Sequence, residues 1–357
     1  MRVVIAGGGT GGHLYPGVAV ARELLRRAPD TVVTFAGTAR GLESRLVPKE
    51  GFALDVIRSV GLKGRSPMTV LRGLAMVPVS LADAWALVSR RRPDAVIGVG
   101  GYSSGPVVLV AAVRGIPTML LEQNAAPGLT NRLLARVVRA AALTYDDAHG
   151  YFGRKGVVTG NPVRPEFLSS PAASTGAARG PRVLILGGSQ GAHAINVAMV
   201  AAAAELGRRF PGLEVVHQTG PRDVADVRAG YERAGVAART ESFLDGVAAE
   251  MTAADLVVSR AGATTLAELA ALGRPAVLVP FPFATDDHQT KNARAVAEHG
   301  AAVMVPEREL SARLTTVVAE LLGDRARLSA MAAAMKTLAR PDAASRIVDR
   351  LSELVAA

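Results

Sequence analysis

His13 closes a run of small residues, Gly7-Gly8-Gly9-Thr10-Gly11-Gly12, between the apolar stretch Arg2–Ala6 and the helically spaced Val18–Leu25. Glycines let backbone N–H groups approach a ligand closely, and the start of a following helix favours negative charge. An imidazole placed there either caps the turn or serves as a general base, since it titrates near neutrality. The construction returns at Arg182–Leu186, followed by Gly187-Gly188-Ser189-Gln190-Gly191-Ala192-His193. A third turn of this kind, Ser259-Arg260-Ala261-Gly262-Ala263-Thr264-Thr265, separates the strand Leu256-Val257-Val258 from a helix beginning near Thr265. Glu268, one turn into that helix, is either an ordinary helix acid or an acceptor for ribose hydroxyls. The chemistry common to all three turns is the holding of phosphate groups.

Two other chemistries fit parts of this pattern. Gly7-x-Gly9-x-x-Gly12 matches the dinucleotide fingerprint, which also needs an acid after the second strand to hold a ribose. Thr34–Thr38 offers none, and Glu43 arrives too late. Gly187-x-Ser189-x-Gly191 matches a nucleophile elbow, with Asp255 and His288 or His299 as partners. The first turn, however, carries Gly9 where the second carries Ser189, and a substrate cradle accounts for both. No Asp-x-Asp pair occurs, so a carboxylate-held divalent ion at a diphosphate is not encoded in the usual way. Basic side chains and helix starts must neutralise the phosphates instead.

Alternating strand-like and helix-like segments must position these turns. The strand candidates are Thr31–Gly37, Leu54–Ile57, Ala95–Gly101, Thr118–Leu121, Leu213–Gln218, Ala254–Ser259 and Pro275–Val279. Helices are expected between them, including a long one from Pro67 to Arg92, another from Leu129 to Val138, and most of the chain after Leu310. Such alternation predicts mostly parallel sheets, with ligands on the loops at the strands' carboxyl ends. A length of 357 residues suits two domains, and Gly160-Asn161-Pro162-Val163-Arg164-Pro165 followed by the aperiodic Ser169–Gly180 reads as their junction.

The absence of cysteine excludes disulfides, thiolate metal sites and a cysteine nucleophile. No secretory signal is visible, so a cytosolic protein is expected. A net charge of +10 suggests an anionic partner. Aromatics are only 4% of the chain and no basic stripe is interleaved with them, which argues against nucleic acid. Between Met68 and Val88 the chain is apolar enough to suggest a membrane span, but Arg72, Pro78 and Asp83 interrupt it. Val70, Leu71, Leu74, Val77, Leu81, Trp85 and Val88 recur at helical steps and predict one apolar face. That face either packs on its own sheet or lies on an anionic membrane. The second reading draws on the only tryptophan and the flanking Arg65, Arg72, Arg90, Arg91 and Arg92, each worth about 1 kcal/mol at such a surface.

Taken together, these residues resemble the MurG family of N-acetylglucosaminyl transferases over essentially the whole chain. The resemblance is carried in order by Gly8–His13, Gly101-Tyr102-Ser103-Ser104-Gly105-Pro106, Glu122-Gln123-Asn124 with Gly128 and Asn131-Arg132, Gly160–Arg164, Gly187–Ala192, His217-Gln218-Thr219-Gly220, Arg260–Ala263 to Glu268, and Asp287-His288-Gln289 to Asn292. It implies the α/β GT-B glycosyltransferase fold, two Rossmann-like doubly wound parallel-sheet domains facing across a cleft. Residues 1–163 would form the acceptor- and membrane-facing domain, 164–340 the nucleotide-sugar domain, and a helix at about 341–357 would pack back on the first.

The implied reaction is an inverting transfer of GlcNAc from UDP-GlcNAc to the muramoyl C4 hydroxyl of undecaprenyl-diphospho-MurNAc-pentapeptide (lipid I), giving lipid II and UDP. A UDP-GlcNAc 2-epimerase or another GT-B UDP-sugar enzyme is the alternative. By position, His13 would be the base, with Tyr102 and Glu122 near the acceptor. Thr10, Gly11 and Gly12 would face the acceptor diphosphate and the reacting centre, and Asn124 would reach the donor sugar. Ser189, Ala263, Thr264 and Thr265 would hold the donor diphosphate, Glu268 the ribose, Arg164, Phe243 and the Leu244 backbone the uracil, and Gln289 the sugar hydroxyls. Arg72, Leu74, Val77, Leu81 and Trp85 would form a patch on the cytoplasmic face of the bacterial membrane. No metal site or required cofactor is implied, a divalent ion being at most an assistant, and the resemblance leaves room for cell-wall and division proteins as partners. Two departures stand out. Leu121 occupies a position where many members carry histidine, so a second histidine base is unavailable there. Gly17 replaces a common alanine, with little consequence expected.

Overall fold

A computed structural model describes residues 1–59, 67–169, 180–188 and 191–357, with 67–74 and Thr285 described by backbone alone. It divides into two compact units, Met1–Arg164 with Arg340–Ala357, and Pro165–Ala339. The first unit runs β1 (Arg2–Gly7), α1 (Gly11–Arg27), β2 (Val32–Gly37), α2 (Glu43–Lys49), β3 (Ala53–Val56), α3 (Pro67–Arg91), β4 (Ala95–Gly100), α4 (Ser104–Val113), β5 (Thr118–Glu122), α5 (Leu129–Leu134), β6 (Ala140–Leu143), α6 (His149–Phe152) and β7 (Gly156–Val158). The second contains α7 (Pro165–Leu168), β8 (Arg182–Leu186), α8 (His193–Arg209), β9 (Glu214–Gln218), α9 (Val224–Ala234), β10 (Ala237–Glu241), α10 (Val247–Ala253), β11 (Leu256–Ser259), α11 (Ala263–Leu272), β12 (Ala276–Leu278), α12 (His288–Glu298), β13 (Ala302–Met304), α13 (Leu310–Gly323) and α14 (Arg325–Thr337). The last helix, α15 (Ala343–Ala356), belongs to the first unit.

The sheet orders are β3-β2-β1-β4-β5-β6-β7 and β10-β9-β8-β11-β12-β13. Every neighbouring pair is parallel. In each sheet the winding reverses between the first strand and its later neighbour, β1 beside β4 and β8 beside β11. That is where a doubly wound sheet opens a crevice at its strand ends. Two Rossmann-like domains are therefore present, as the resemblance implied.

Parallel sheets are covered on both faces, so their central strands are apolar throughout rather than alternating. β4 and β5 are buried along their whole length. Along β1, Val3 and Ile5 point to one face and Val4 and Ala6 to the other. The first pair packs with Leu14 and Val18 of α1 and with Ile347, Val348, Leu351 and Leu354 of α15. The second pair packs with Ala84, Leu87 and Val88 of α3 and Val107 and Val108 of α4. In the second unit, Val183 and Ile185 meet Ile195 and Met199 of α8 and Leu314 and Val318 of α13. α15 is also tied electrostatically, because Arg27 at the end of α1 donates to Asp349 and to Ser345. Hydrogen bonds from Arg26 and then Arg27 hold the Glu23 carboxyl down at about 2 against its partial burial.

Several local expectations change. α1 begins at Gly11 and not near Val18, which places His13 in its first turn. α11 likewise begins two residues early, at Ala263, and α5 stops at Leu134. β6, β7, β10 and β13 were not expected; they are three to five residues long. A methyl at Gly17 would sit 3.1 Å from Ile5 and 3.2 Å from Val99, so glycine allows α1 to lie close on the sheet. The predicted single apolar face of α3 is divided. Ala84, Leu87 and Val88 are buried on the sheet and Leu81 packs beside them, whereas Val77 and Trp85 are exposed. No helix among the described residues is long and apolar enough to cross a membrane.

Candidate active site

The chain leaves β1 through Gly8 and Gly9, the latter at φ 91°, a conformation that costs glycine little. Thr10 precedes α1 in an extended conformation and makes no side-chain cap, while its carbonyl accepts the His13 and Leu14 N–H groups at 3.2 Å. The turn after β4 lies alongside. Gly8 N–H donates to the Gly100 carbonyl at 3.3 Å. The His13 ring lies against Gly100, where a Cβ would come 3.2 Å from Nε2. His13 Nδ1 is 3.4 Å from Thr10 Oγ1. Tyr102, two residues on, exposes half its surface, and its carbonyl accepts from Ser59 Oγ at 3.1 Å. Thr10, Gly11, Gly12 and His13 are thus gathered at one strand-end crevice beside the turn that carries Tyr102.

Glu122 ends β5 and is enclosed by its own loop. Only 2% of it is exposed, and both carboxylate oxygens are occupied by its own loop. Oε1 accepts Asn124 N–H at 3.0 Å, while Oε2 accepts Asn131 Nδ2 at 2.8 Å and Gly128 N–H at 3.2 Å. Burial raises its affinity for a proton, and the hydrogen bonds from Asn124, Asn131 and Gly128 only partly oppose this. Its carboxylate organises the β5–α5 loop, the loop that carries Asn124.

Glu43, too late in the chain to hold a dinucleotide ribose, has another place in the fold. It lies buried at the start of α2, accepting Gly9 N–H at 2.8 Å on one oxygen and Thr38 N–H and Oγ–H at 2.8 and 2.7 Å on the other. A strand-end glycine at Gly37 was visible beforehand, but nothing in the spacing says that a carboxylate six residues later folds back onto Gly9.

In the second unit, β11 delivers the chain to α11 through Ser259-Arg260-Ala261-Gly262, with Gly262 extended and no side chain capping the helix. Ala263, Thr264 and Glu268 are buried and Thr265 is partly exposed. Arg260 supports the turn from beneath. Its guanidinium pairs with Glu307 at 2.5 Å, donates to the Val279 and Pro280 carbonyls at 3.3 Å, and lies 5.3 Å over the Phe281 ring. Gln289 Oε1 accepts Phe281 N–H at 3.0 Å, fixing that side chain beside the β12–α12 loop. Buried Asn292 donates to the Ala261 carbonyl at 3.3 Å. Phe243 is exposed on the β10–α10 loop and the Leu244 side chain beside it is buried.

Arg164 belongs to the first unit, its guanidinium 4.1 Å over the Tyr15 ring. Ser189 lies outside the described residues, as do the side chains of Arg72 and Leu74. After β8, Gly188 and Gly191 adopt φ 77° and 78°. A buried chain of polar contacts stands behind this turn: Tyr231 OH, His217 and Asn196 Oδ1 are linked at 3.0 Å steps, and Asn196 Nδ2 reaches Asp223 at 2.7 Å. Burial drives His217 down to about 3, against the pull of Asp223, so it is neutral. Among the described residues no cluster of three or more His, Cys, Asp or Glu could hold a metal ion.

Comparison with known proteins fits this geometry. Residues 3–143 match the glycosyltransferase family 28 N-terminal domain and residues 182–347 its C-terminal domain. A relative from Anaeromyxobacter sp. (strain K), named as UDP-N-acetylglucosamine–N-acetylmuramyl-(pentapeptide) pyrophosphoryl-undecaprenol N-acetylglucosamine transferase, is 46% identical over 99% of this chain and 93% of its own. The crystal structure of Acinetobacter baumannii MurG superposes with a TM-score of 0.78 at 31% identity, covering 99% of both chains. A UDP-GlcNAc 2-epimerase from Neisseria meningitidis shares the fold, with a TM-score of 0.69 at 14% identity over 99% of this chain and all of that one. By full-length identity, matched domains and superposition, the chain belongs to the MurG family of glycosyltransferase family 28.

Proposed function

We propose that the protein transfers GlcNAc from UDP-GlcNAc to the C4 hydroxyl of undecaprenyl-diphospho-MurNAc-pentapeptide, inverting the sugar's anomeric centre and releasing UDP. The observation that carries this reading is that each unit opens a helix without a side-chain cap at its sheet's winding reversal, α1 after Thr10 and α11 after Gly262. One such start suits the acceptor's diphosphate and the other the donor's. The acceptor hydroxyl oxygen bonds to C1 of GlcNAc as the C1–oxygen bond to UDP breaks. The hydroxyl proton passes to the His13 imidazole and the electron pair leaves on the UDP phosphate.

On this reading Ala263, Thr264 and Thr265, with Ser189, hold the donor diphosphate, Glu268 accepts the ribose hydroxyls, Phe243 and the Leu244 backbone frame the base, and Gln289 holds the sugar. Asn124 reaches the sugar from the first unit, with Glu122 as its support and Tyr102 near the acceptor. Val77 and Trp85, with the arginines at the end of α3, form the surface that rests on the cytoplasmic face of an anionic membrane, where the lipid substrate lies. The test is UDP release from UDP-GlcNAc with and without a lipid I analogue. Release that requires the acceptor supports the transferase; conversion of UDP-GlcNAc at C2 without any acceptor would replace it with the epimerase.

A further inference from the structure

Glu43 takes no part in the transfer as just described, yet it is buried at the start of α2 with hydrogen bonds on both oxygens. Its carboxylate bridges two turns, accepting Gly9 N–H after β1 and both donors of Thr38 after β2. Three glycines leave room for it. A Cβ at Gly8, Gly37 or Gly41 would overlap the Glu43 side chain, and none of the three has a positive φ. These positions are small because the carboxylate fills the space beside them, not because the backbone demands glycine. Burial works against the charge, but the bonds from Gly9 and Thr38 outweigh it and hold the carboxyl below the usual glutamate range. A turn built from Gly7-Gly8-Gly9 has little stiffness of its own.

We propose that Glu43 is a positioning residue for the acceptor: by fixing the Gly9 amide, it sets the direction in which Thr10, Gly11 and Gly12 are presented and how the His13 ring stands against Gly100. In a dinucleotide fold an acid near this place faces a ribose; here it faces inward and is committed to the protein's own backbone. The inference rests on the acceptor being bound at the first turn, as proposed above.

Glu43→Gln tests it, because the amide keeps the size and an oxygen for Thr38 but sets its NH2 against the Gly9 N–H. The expected result is a tenfold or greater fall in kcat/KM for the lipid I analogue, with the calorimetric Kd for UDP-GlcNAc within twofold of wild type. Gly8→Ala presses on the carboxylate from the turn side and should give the same split, which keeps the inference testable if Glu43→Gln does not fold. Wild-type acceptor kinetics in these variants, or a loss shared equally by donor Kd and acceptor kcat/KM, overturns it. If the wild-type protein itself releases no UDP with the acceptor, the transferase reading fails, and amide hydrogen exchange decides on Glu43 alone. Faster exchange of residues 7–14 in Glu43→Gln supports its hold on the turn, and unchanged exchange overturns it.

Discussion

His13 and Glu122 show how two residues of similar promise separate once their surroundings are known. His13 is partly exposed at a helix start beside a turn of glycines, whereas Glu122 is enclosed and fully engaged by its loop. His13→Ala should therefore lower turnover about 10²- to 10⁴-fold, the usual worth of a general base. Calorimetry should find UDP-GlcNAc affinity unchanged, and undiminished turnover would remove His13 from the mechanism. Glu122→Ala strips a buried loop of its acceptor and should lower stability by about 2–4 kcal/mol, read as a fall in the urea midpoint. Glu268→Ala should raise the Kd for UDP about 10- to 100-fold, as expected for losing charge-assisted bonds to a ligand; native affinity would remove it from the ribose. The sequence could name all three residues because each stands in a recognisable run. It could not say which carboxylate faces a ligand, since that depends on Asn131 and Gly128 folding back over Glu122. Glu43 likewise reads in sequence only as an acid too late for a ribose, since its bonds to Gly9 and Thr38 depend on the fold.

The helices and strands that were easiest to foresee carry the glycine turns, because an apolar run ending abruptly in glycine reads clearly as strand then turn. The least visible were the short outer ones. β10 is Ala-Ala-Arg-Thr-Glu, held by pairing with β9 and not by apolar side chains of its own. The start of α1 lies ahead of the helical spacing that begins at Val18: Gly11, Gly12 and Pro16 all lie within it. Gly17→Ala sets a gain in helix propensity against the few tenths of an ångström that Ile5 and Val99 must give to admit the methyl. A fall in melting temperature shows that they cannot give, and a rise shows that they can. On α3, pattern alone could not separate the buried stripe from the exposed one, since both are apolar. Trp85 is 52% exposed with Arg114 5.0 Å over its ring. Trp85→Ala combined with Val77→Ala should leave the melting temperature within a few degrees but weaken sedimentation with anionic vesicles severalfold. Equal sedimentation of variant and wild type would place the membrane contact elsewhere.

The two halves of the molecule are built alike but respond differently to acid. In the second unit, neutral buried His217 takes up a proton far more readily once unfolded, since burial holds it at about 3 in the folded protein against an ordinary value near 6.5. Its contribution is therefore complete above about pH 6.5 and is lost as pH falls towards 3. In the first unit, buried Glu122 apart, the shifted acids have lowered values, Glu23 at about 2 among them. Their stabilisation is complete above the usual carboxylate range and fades only as pH drops towards that value. Urea unfolding between pH 7 and 5 should weaken the second unit first, and His217→Gln should flatten that dependence. α15 adds a constraint of another kind. Ile347, Val348, Leu351 and Leu354 complete the layer over Val3, Ile5 and Leu14, so the first unit is assembled from segments separated by the whole of the second. On the ribosome its amino-terminal portion must wait, with one face uncovered, until residues 343–356 emerge. A truncation that removes this last segment should leave the second unit intact and send the opposite end of the chain to chaperones and proteases.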